Sequence, residues 1–232
     1  FEANETIIGD LATAGKLAYK EDYTHSYPYC GRTNTPIIFR ATQQVFLDLD
    51  KVRDVVLQEA DNVQFYPAAS KNRMKPMLQN RPDWCLSRQR KWGVPLAFFR
   101  DDKGELVIKP EVLKETQELI DRDGIEAWFA KADSAKVMDI LDVWFDSGLT
   151  WDVLGGRQAD LYLEGNDQHR GWFQSSLWLS VALTGKAPYK KVITHGFSVG
   201  ANGEKMSKSK GNVVNPNDIV LRYGAEVLRY WV

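Results

Sequence analysis

The run Leu163-Glu164-Gly165-Asn166-Asp167-Gln168-His169-Arg170-Gly171-Trp172 decides how this chain folds. Residues 160–163 read as a short strand and residues 168–183 as a long helix, so the run is a strand-to-helix junction. In doubly wound sheets, ligands sit at the carboxyl ends of strands. Gly165 has no side chain and lets a ligand approach the backbone. Asp167 can accept two hydrogen bonds from a ribose diol, and it suits a helix cap equally well; both roles stay open. His169 fits an acid–base role or a satisfied place in the core. Trp144 and Trp172 both fall near strand ends. The ordinary role of a tryptophan is core packing, but a pair flanking a cleft makes a rigid slot for a small aliphatic side chain.

Working outward, residues 137–145 form an apolar run ending in Asp146-Ser147-Gly148, and residues 191–197 read as another strand. Residues 216–232 read as one helix capped by Asn215. Strands alternating with helices at this spacing predict parallel βα units and an α/β fold. Before the junction the pattern is more mixed. Residues 4–17 suggest a helix capped by Asn4, and residues 25–33 are turn-rich. Ile37-Ile38-Phe39 is strand-like. Residues 50–60 suggest an amphipathic helix with Val52, Val55, Val56 and Leu57 inward. Residues 71–79 form a basic patch, helical if Pro76 lies in the first turn. Residues 94–108 suggest a hairpin turning at Asp102-Lys103-Gly104. Pro110 opens a helix that runs to Ile120.

A second stretch carries chemistry: Lys205-Met206-Ser207-Lys208-Ser209, between Gly200-Ala201-Asn202-Gly203 and Gly211-Asn212. Two lysines three residues apart in a glycine-flanked loop suit closure over a triphosphate, where ammonium groups stabilise charge on transferring oxygens. Taken alone, such a five-residue run is more often a solvated basic loop. Lys186, Lys190, Lys191 and Lys210 extend the basic cluster. The net charge of −1 excludes a wholly basic nucleic-acid module, so any nucleic-acid contact must be local. Cys30 and Cys85 are far apart, no Cys-x-x-Cys pair exists, and a zinc site is poorly supported. The thiols suit a cytosolic protein better than a disulfide scaffold. No apolar run approaches the roughly 18 residues of a membrane span, so no membrane association is expected. The start at Phe1-Glu2-Ala3-Asn4 and the end at Tyr230-Trp231-Val232 read as cuts within a longer polypeptide.

Lys205 to Ser209 is identical to the KMSKS motif, and on it the chain resembles the class I aminoacyl-tRNA synthetases. Asp142-Val143-Trp144-Phe145-Asp146-Ser147-Gly148 resembles a strand shared by their isoleucyl, valyl and leucyl branch. Asn80-Arg81-Pro82-Asp83-Trp84-Cys85-Leu86-Ser87-Arg88-Gln89-Arg90 with Trp92-Gly93 looks like the same branch. Residues 164–173 and Pro36-Ile37-Ile38-Phe39-Arg40-Ala41-Thr42 look isoleucyl. The resemblance covers essentially the whole chain. Its departures are the missing His-Ile-Gly-His motif, most of the editing insertion, the anticodon-binding domain and any C-terminal zinc module. Thr194-His195-Gly196-Phe197 is no substitute for the first of these, because it lies on the strand before the lysine loop.

The resemblance implies a tail of the editing insertion at residues 1–35. Residues 36–232 would then be the C-terminal half of a Rossmann-like catalytic domain, a partial parallel sheet with flanking helices. The implied activity of the parent enzyme is ATP-dependent activation of isoleucine and its transfer to tRNA(Ile), in the cytoplasm. Mg2+ would accompany ATP, and no zinc is implied in this part. By motif, Lys205 and Lys208 are the catalytic phosphate contacts, with Lys208 also counted in the ATP site. Glu164, Gly165, Asp167 and Gln168 would line the adenylate, and Trp144 and Trp172 would wall the isoleucine side chain. Limited discrimination against valine by such a pocket explains why the parent needs editing. The alternatives are an inactive fragment, since the family builds its ATP site from two halves, or a piece of a valyl enzyme.

Overall fold

The computed structural model describes residues 2–31, 33–130, 135–200, 203–208 and 211–231. Ser209, Lys210, Ala201 and Asn202 of the lysine stretch lie outside the described residues, as do Phe1 and Val232. The chain divides into two compact units, Phe1–Gln43 and Gln44–Val232.

In the first unit, α1 (Glu2–Thr13) is shorter than the sequence predicts and contains Asn4 within it rather than at its cap. The chain turns at Gly15 (φ 65°), short of the predicted end at residue 17. The strand expected at Ile37-Ile38-Phe39 is absent: pairing stops at the Tyr29–Pro36 bridge and the bond from the Ile37 N–H to the Pro28 carbonyl (3.2 Å), and Ile38 and Phe39 are exposed. β-branched and aromatic residues favour strands only where a neighbour strand supplies the pairing.

The second unit opens with β1 (Phe46–Leu47), α2 (Arg53–Asn62), β2 (Gln64–Tyr66) and α3 (Ser70–Gln79). Helix α2 buries Val56 and Ala60, four residues apart on one face. Val55 points outward instead, contrary to the sequence expectation. Pro76 lies inside α3 rather than in its first turn. Arg53 closes the end of α3: its guanidinium donates to the carbonyls of Leu78 (2.7 Å) and Arg81 (2.8 Å). The Leu78 carbonyl, and that of Gln79 at 3.3 Å, belong to the last turn, where a helix leaves carbonyls without intrahelical partners, and Arg81 follows just beyond it.

Next come β3 (Trp84–Cys85), β4 (Ser87–Arg88), β5 (Phe99–Arg100), β6 (Leu106–Val107), α4 (Pro110–Asp123) and α5 (Ile125–Ala130). The expected hairpin is β5–β6, turned by the Asp101 carboxylate, which accepts from the N–H groups of Lys103 and Glu105 at 2.9 Å. Helix α4 begins at Pro110, as its sequence indicates.

The remaining elements are β7 (Ile140–Leu141), α6 (Val143–Gly148), α7 (Thr150–Val153), β8 (Tyr162–Gly165), α8 (Trp172–Thr184), β9 (Lys191–His195), α9 (Pro216–Tyr223) and α10 (Ala225–Trp231). Strands β8 and β9 pair in parallel, Tyr162 opposite Val192, and β2 pairs in parallel on the far side of β9. The order β2–β9–β8 with α8 crossing over is the expected βα unit. Helix α8 is buried at every residue from Phe173 to Val181. Such all-round burial belongs to a helix in the middle of a core. Around it pack Leu49, Val56, Met74, Leu78, Tyr189 and Val192.

Two expected elements differ. The run 143–148 is a helix rather than a strand, because the Asp142 carboxylate caps it by accepting from the Trp144 N–H at 3.4 Å. The helix expected over 216–232 breaks at Gly224 (φ 86°) into α9 and α10.

Candidate active site

The junction after β8 forms the floor of the site. Gly165 ends the strand, residues Asn166–His169 make one 3-10 turn, and α8 starts at Trp172. Glycine at 165 leaves room for its neighbours: a Cβ there would come within 2.9 Å of the Asp167 carboxylate and 3.1 Å of the Phe197 ring, and both would have to shift. The space it frees is filled by the protein's own side chains. The Glu164 carboxylate folds back to accept from the Gly165 N–H at 2.9 Å.

Asp167 does not cap the helix. The Gln168 side chain does so, accepting from the Trp172 N–H at 2.9 Å. Asp167 is left facing Lys205, whose ammonium lies 4.0 Å from its carboxylate and 3.5 Å above the Phe197 ring. One carboxylate from β8's end and one lysine from beyond β9 therefore meet over Phe197. That side chain gave no signal in sequence beyond its place after a strand.

The loop carrying the lysines leaves β9 as a second hairpin. Val199 bridges Lys205, and Gly200 N–H donates to the Glu204 carbonyl at 2.9 Å. Asn212 clasps its far side: its Oδ1 accepts from the Ser207 N–H at 2.8 Å, and its Nδ2 donates to the Lys205 carbonyl at 3.3 Å. Asparagine side chains commonly bond nearby backbone in turns, and Gly211-Asn212 carried that signal. Lys208 is exposed on this loop.

Trp144 and Trp172 both lie near the start of α8, each with partners of its own. The Trp144 ring lies against Gly171, where a Cβ would meet it at 2.9 Å. Trp172 stacks on Tyr162 with ring centroids 4.0 Å apart and 9° between planes, and its Nε1 donates to the Ser147 carbonyl at 2.9 Å. Trp144 is 40% exposed, so its ring remains a usable wall. His169 belongs to the core: it is 1% exposed, stacks near Phe65 and has its Nδ1 on the Asn166 carbonyl at 2.9 Å. Burial holds its imidazole below the usual histidine range.

Beneath α6 lies a buried polar cluster. Asp142 accepts from Trp84 Nε1 at 2.8 Å and from Arg88 Nη2 at 2.9 Å. The arginine-rich stretch after Asn80 therefore holds α6, a role its sequence did not reveal. Asp146, on the same helix, borders a cavity of about 1050 Å3 that also touches Trp144, Arg90 and Trp92. Burial, with a smaller push from the negative charge of Asp142, raises the Asp146 carboxyl to about 6. Of the two tryptophans expected to wall one slot, Trp144 lines this cavity and Trp172 does not, nor do Glu164, Gly165, Asp167, Gln168, Lys205 or Lys208.

A sequence profile of the tRNA synthetases class I (I, L, M and V) matches residues 3–232. The chain belongs to this family. Among curated relatives, isoleucine–tRNA ligase of a Nitratiruptor species is 50% identical, and that of a Sulfurovum species is 51% identical. Both alignments cover the whole of this chain, and the chain spans 28% of the length of each relative.

Among solved structures, Mycobacterium tuberculosis methionyl-tRNA synthetase bound by methionyl-adenylate matches 88% of this chain and 36% of its own, with TM-score 0.57 and 19% identity. A ternary complex of Agrobacterium radiobacter LeuRS with tRNA and LeuAMS matches 70% of this chain and 27% of its own, with TM-score 0.50 and 20% identity. At these identities the likeness is one of fold: the parallel sheet with flanking helices is that of class I synthetases.

Proposed function

We propose that this chain supplies the lysine-loop half of an active site that charges tRNA(Ile) with isoleucine. The observation that carries the reading is the meeting of Asp167 and Lys205 at the carboxyl ends of β8 and β9. The roughly 50% identity to isoleucine–tRNA ligases along the whole chain supports the choice of amino acid. Residues 36–232 are proposed as the C-terminal half of the catalytic domain and residues 1–35 as the tail of an editing insertion.

In the proposed reaction, a carboxylate oxygen of isoleucine attacks the α-phosphorus of ATP. The bond to the bridging oxygen breaks, and pyrophosphate leaves. A hydroxyl of the tRNA 3′-terminal ribose then attacks the acyl carbon, and AMP leaves. No side chain forms a covalent intermediate, so the protein contributes position and charge. Asp167 would hold the ribose diol, and Glu164, Gly165 and Gln168 would border the adenylate. Trp144 and Trp172 would wall the side chain of isoleucine. Lys205 and Lys208 would stabilise the leaving pyrophosphate.

The Lys205–Asp167 pair is half-exposed at 4.0 Å. Such pairs are worth under about 1 kcal/mol, so a nucleotide with several phosphate charges displaces it readily. Mg2+ would arrive on the ATP phosphates, since it keeps few protein ligands; Glu164 and Asp167 are the carboxylates at that strand end. No helix among the described residues is long and apolar enough to cross a membrane. A cytoplasmic location goes with the proposed function.

The test is isoleucine-dependent exchange of pyrophosphate into ATP, run on the full-length protein and on the isolated 232-residue chain. The full-length protein should exchange with isoleucine, and the chain alone should not. Preference for valine would replace the isoleucyl reading with the valyl one. Exchange by the isolated chain within about tenfold of the full-length rate, or about 1.4 kcal/mol in barrier, would sink the half-site.

A further inference from the structure

We infer that Asp142 is a positioning residue for the amino-acid pocket, acting through Trp144, and that Arg88 and Trp84 hold it in place; this rests on the function proposed above. Asp142 stands between β7 and α6 and is 6% exposed. Its Oδ2 takes both outside donors, Trp84 Nε1 at 2.8 Å and Arg88 Nη2 at 2.9 Å. Its Oδ1 faces the Trp144 N–H at 3.4 Å. One carboxylate thus joins the β3–β4 stretch to the first turn of the helix that carries the pocket wall.

The cluster is anchored on both sides. Arg88 Nη1 donates to the carbonyls of Cys85 (2.8 Å) and Ser87 (2.9 Å), which fixes the guanidinium relative to its own strand. The Phe145 ring packs on Trp84 at 6.0 Å. The Arg81 guanidinium lies 4.9 Å over the Trp84 ring and bonds Gln174 of α8, two residues past Trp172. Trp84 therefore touches the supports of both walls, α6 directly and α8 through Arg81.

The tolerance at the walls is small. The Trp144 ring lies 2.9 Å from where a Cβ on residue 171 would be, so a shift of α6 moves this ring against the backbone at the start of α8. Misplacing a binding group by about 1 Å can lose up to roughly a hundredfold. Charge-assisted bonds to a buried carboxylate are the stronger kind, and their loss is felt by the segment they hold.

The experiment uses the full-length protein with D142N, Arg88→Ala and Arg88→Lys. Half-saturation is read separately for isoleucine and ATP in pyrophosphate exchange, with a thermal unfolding midpoint for each variant. D142N and Arg88→Ala should raise isoleucine half-saturation about tenfold and leave ATP half-saturation within about twofold. Arg88→Lys, which keeps the charge, should recover part of the loss. If D142N does not fold, Arg88→Ala carries the test, because its side chain is 34% exposed and makes no part of the core. Equal changes for the two ligands, or none for either, overturn the inference. A full-length wild type that does not exchange with isoleucine overturns the functional reading and this inference with it. An active wild type with unsplit variants overturns this inference alone.

Discussion

Helix α8 and the lysine loop flank the same strand, β9, and are built in opposite ways. From Phe173 to Val181 every residue of α8 is buried. Past the loop, α9 and α10 bury no residue, and Lys205 and Lys208 are exposed. Close-packed segments hold their side chains in one place. Segments with few buried contacts and solvent-exposed hydrogen bonds open at low free energy. Under the proposed function, Trp144, Trp172 and Asp167 would serve the amino acid and the ribose from beside the close-packed part, and Lys205 and Lys208 would serve the phosphates from the part with few buried contacts. A binding site that must enclose a large nucleotide and then release products needs both.

The largest effect that tests the contrast is on stability. Phe173→Ala removes a fully buried ring and should lower unfolding free energy by about 4 kcal/mol, read from urea denaturation. Leu221→Ala on α9 removes an 86% exposed side chain and should change it by less than about 0.5 kcal/mol. Similar values for the two would erase the distinction between the regions.

Next in size is Lys208→Ala in the full-length protein. A lysine that meets phosphate charge mainly in the transition state acts on turnover, so adenylate formation should slow about a hundredfold, near 3 kcal/mol. ATP half-saturation should move much less. Turnover close to wild type would remove Lys208 from the chemistry.

The smallest effect concerns Asp146. Its folded carboxyl keeps a proton up to a pH of about 6. The unfolded one releases its proton near pH 4. Between those values the native state binds more protons, so this contribution is fully present below about pH 4 and fades as pH rises through about 6. Asp146→Asn should abolish that fall and make the chain more stable than wild type at pH 7, by about 1 kcal/mol after allowance for solvent screening. An unchanged pH profile would show that the carboxyl titrates normally.

Much of this architecture was legible in the sequence. The β8–α8–β9 unit follows from alternating apolar runs, and the lysine loop from its glycines. What escaped depended on partners distant in sequence. Residues 143–148 carry a strand-like Val-Trp-Phe run, yet Asp142 caps them into a helix held by Trp84 and Arg88. Ile37-Ile38-Phe39 has strand propensity, yet its pairing ends at the Ile37 N–H on the Pro28 carbonyl. Gln168 rather than Asp167 caps α8, and periodicity cannot decide which of two adjacent polar side chains reaches an N–H. Phe197 under Lys205 is a contact between the two arms of the lysine loop, and Tyr162 under Trp172 one between β8 and the start of α8; neither leaves a trace in local spacing.

The division of labour between fixed wall and opening loop is tested most directly by titrating isoleucine and ATP separately on Trp172→Ala in the full-length protein. Trp144→Ala serves as a companion, since this residue is 40% exposed and stands outside the buried core. Isoleucine binding should weaken about tenfold or more, as expected when a buried aromatic wall is removed. ATP binding should stay within about twofold, because its contacts are assigned to Asp167 and the lysines. Equal weakening of both ligands in both variants would mean that the tryptophans only hold the start of α8 in place, and the proposed pocket would be wrong.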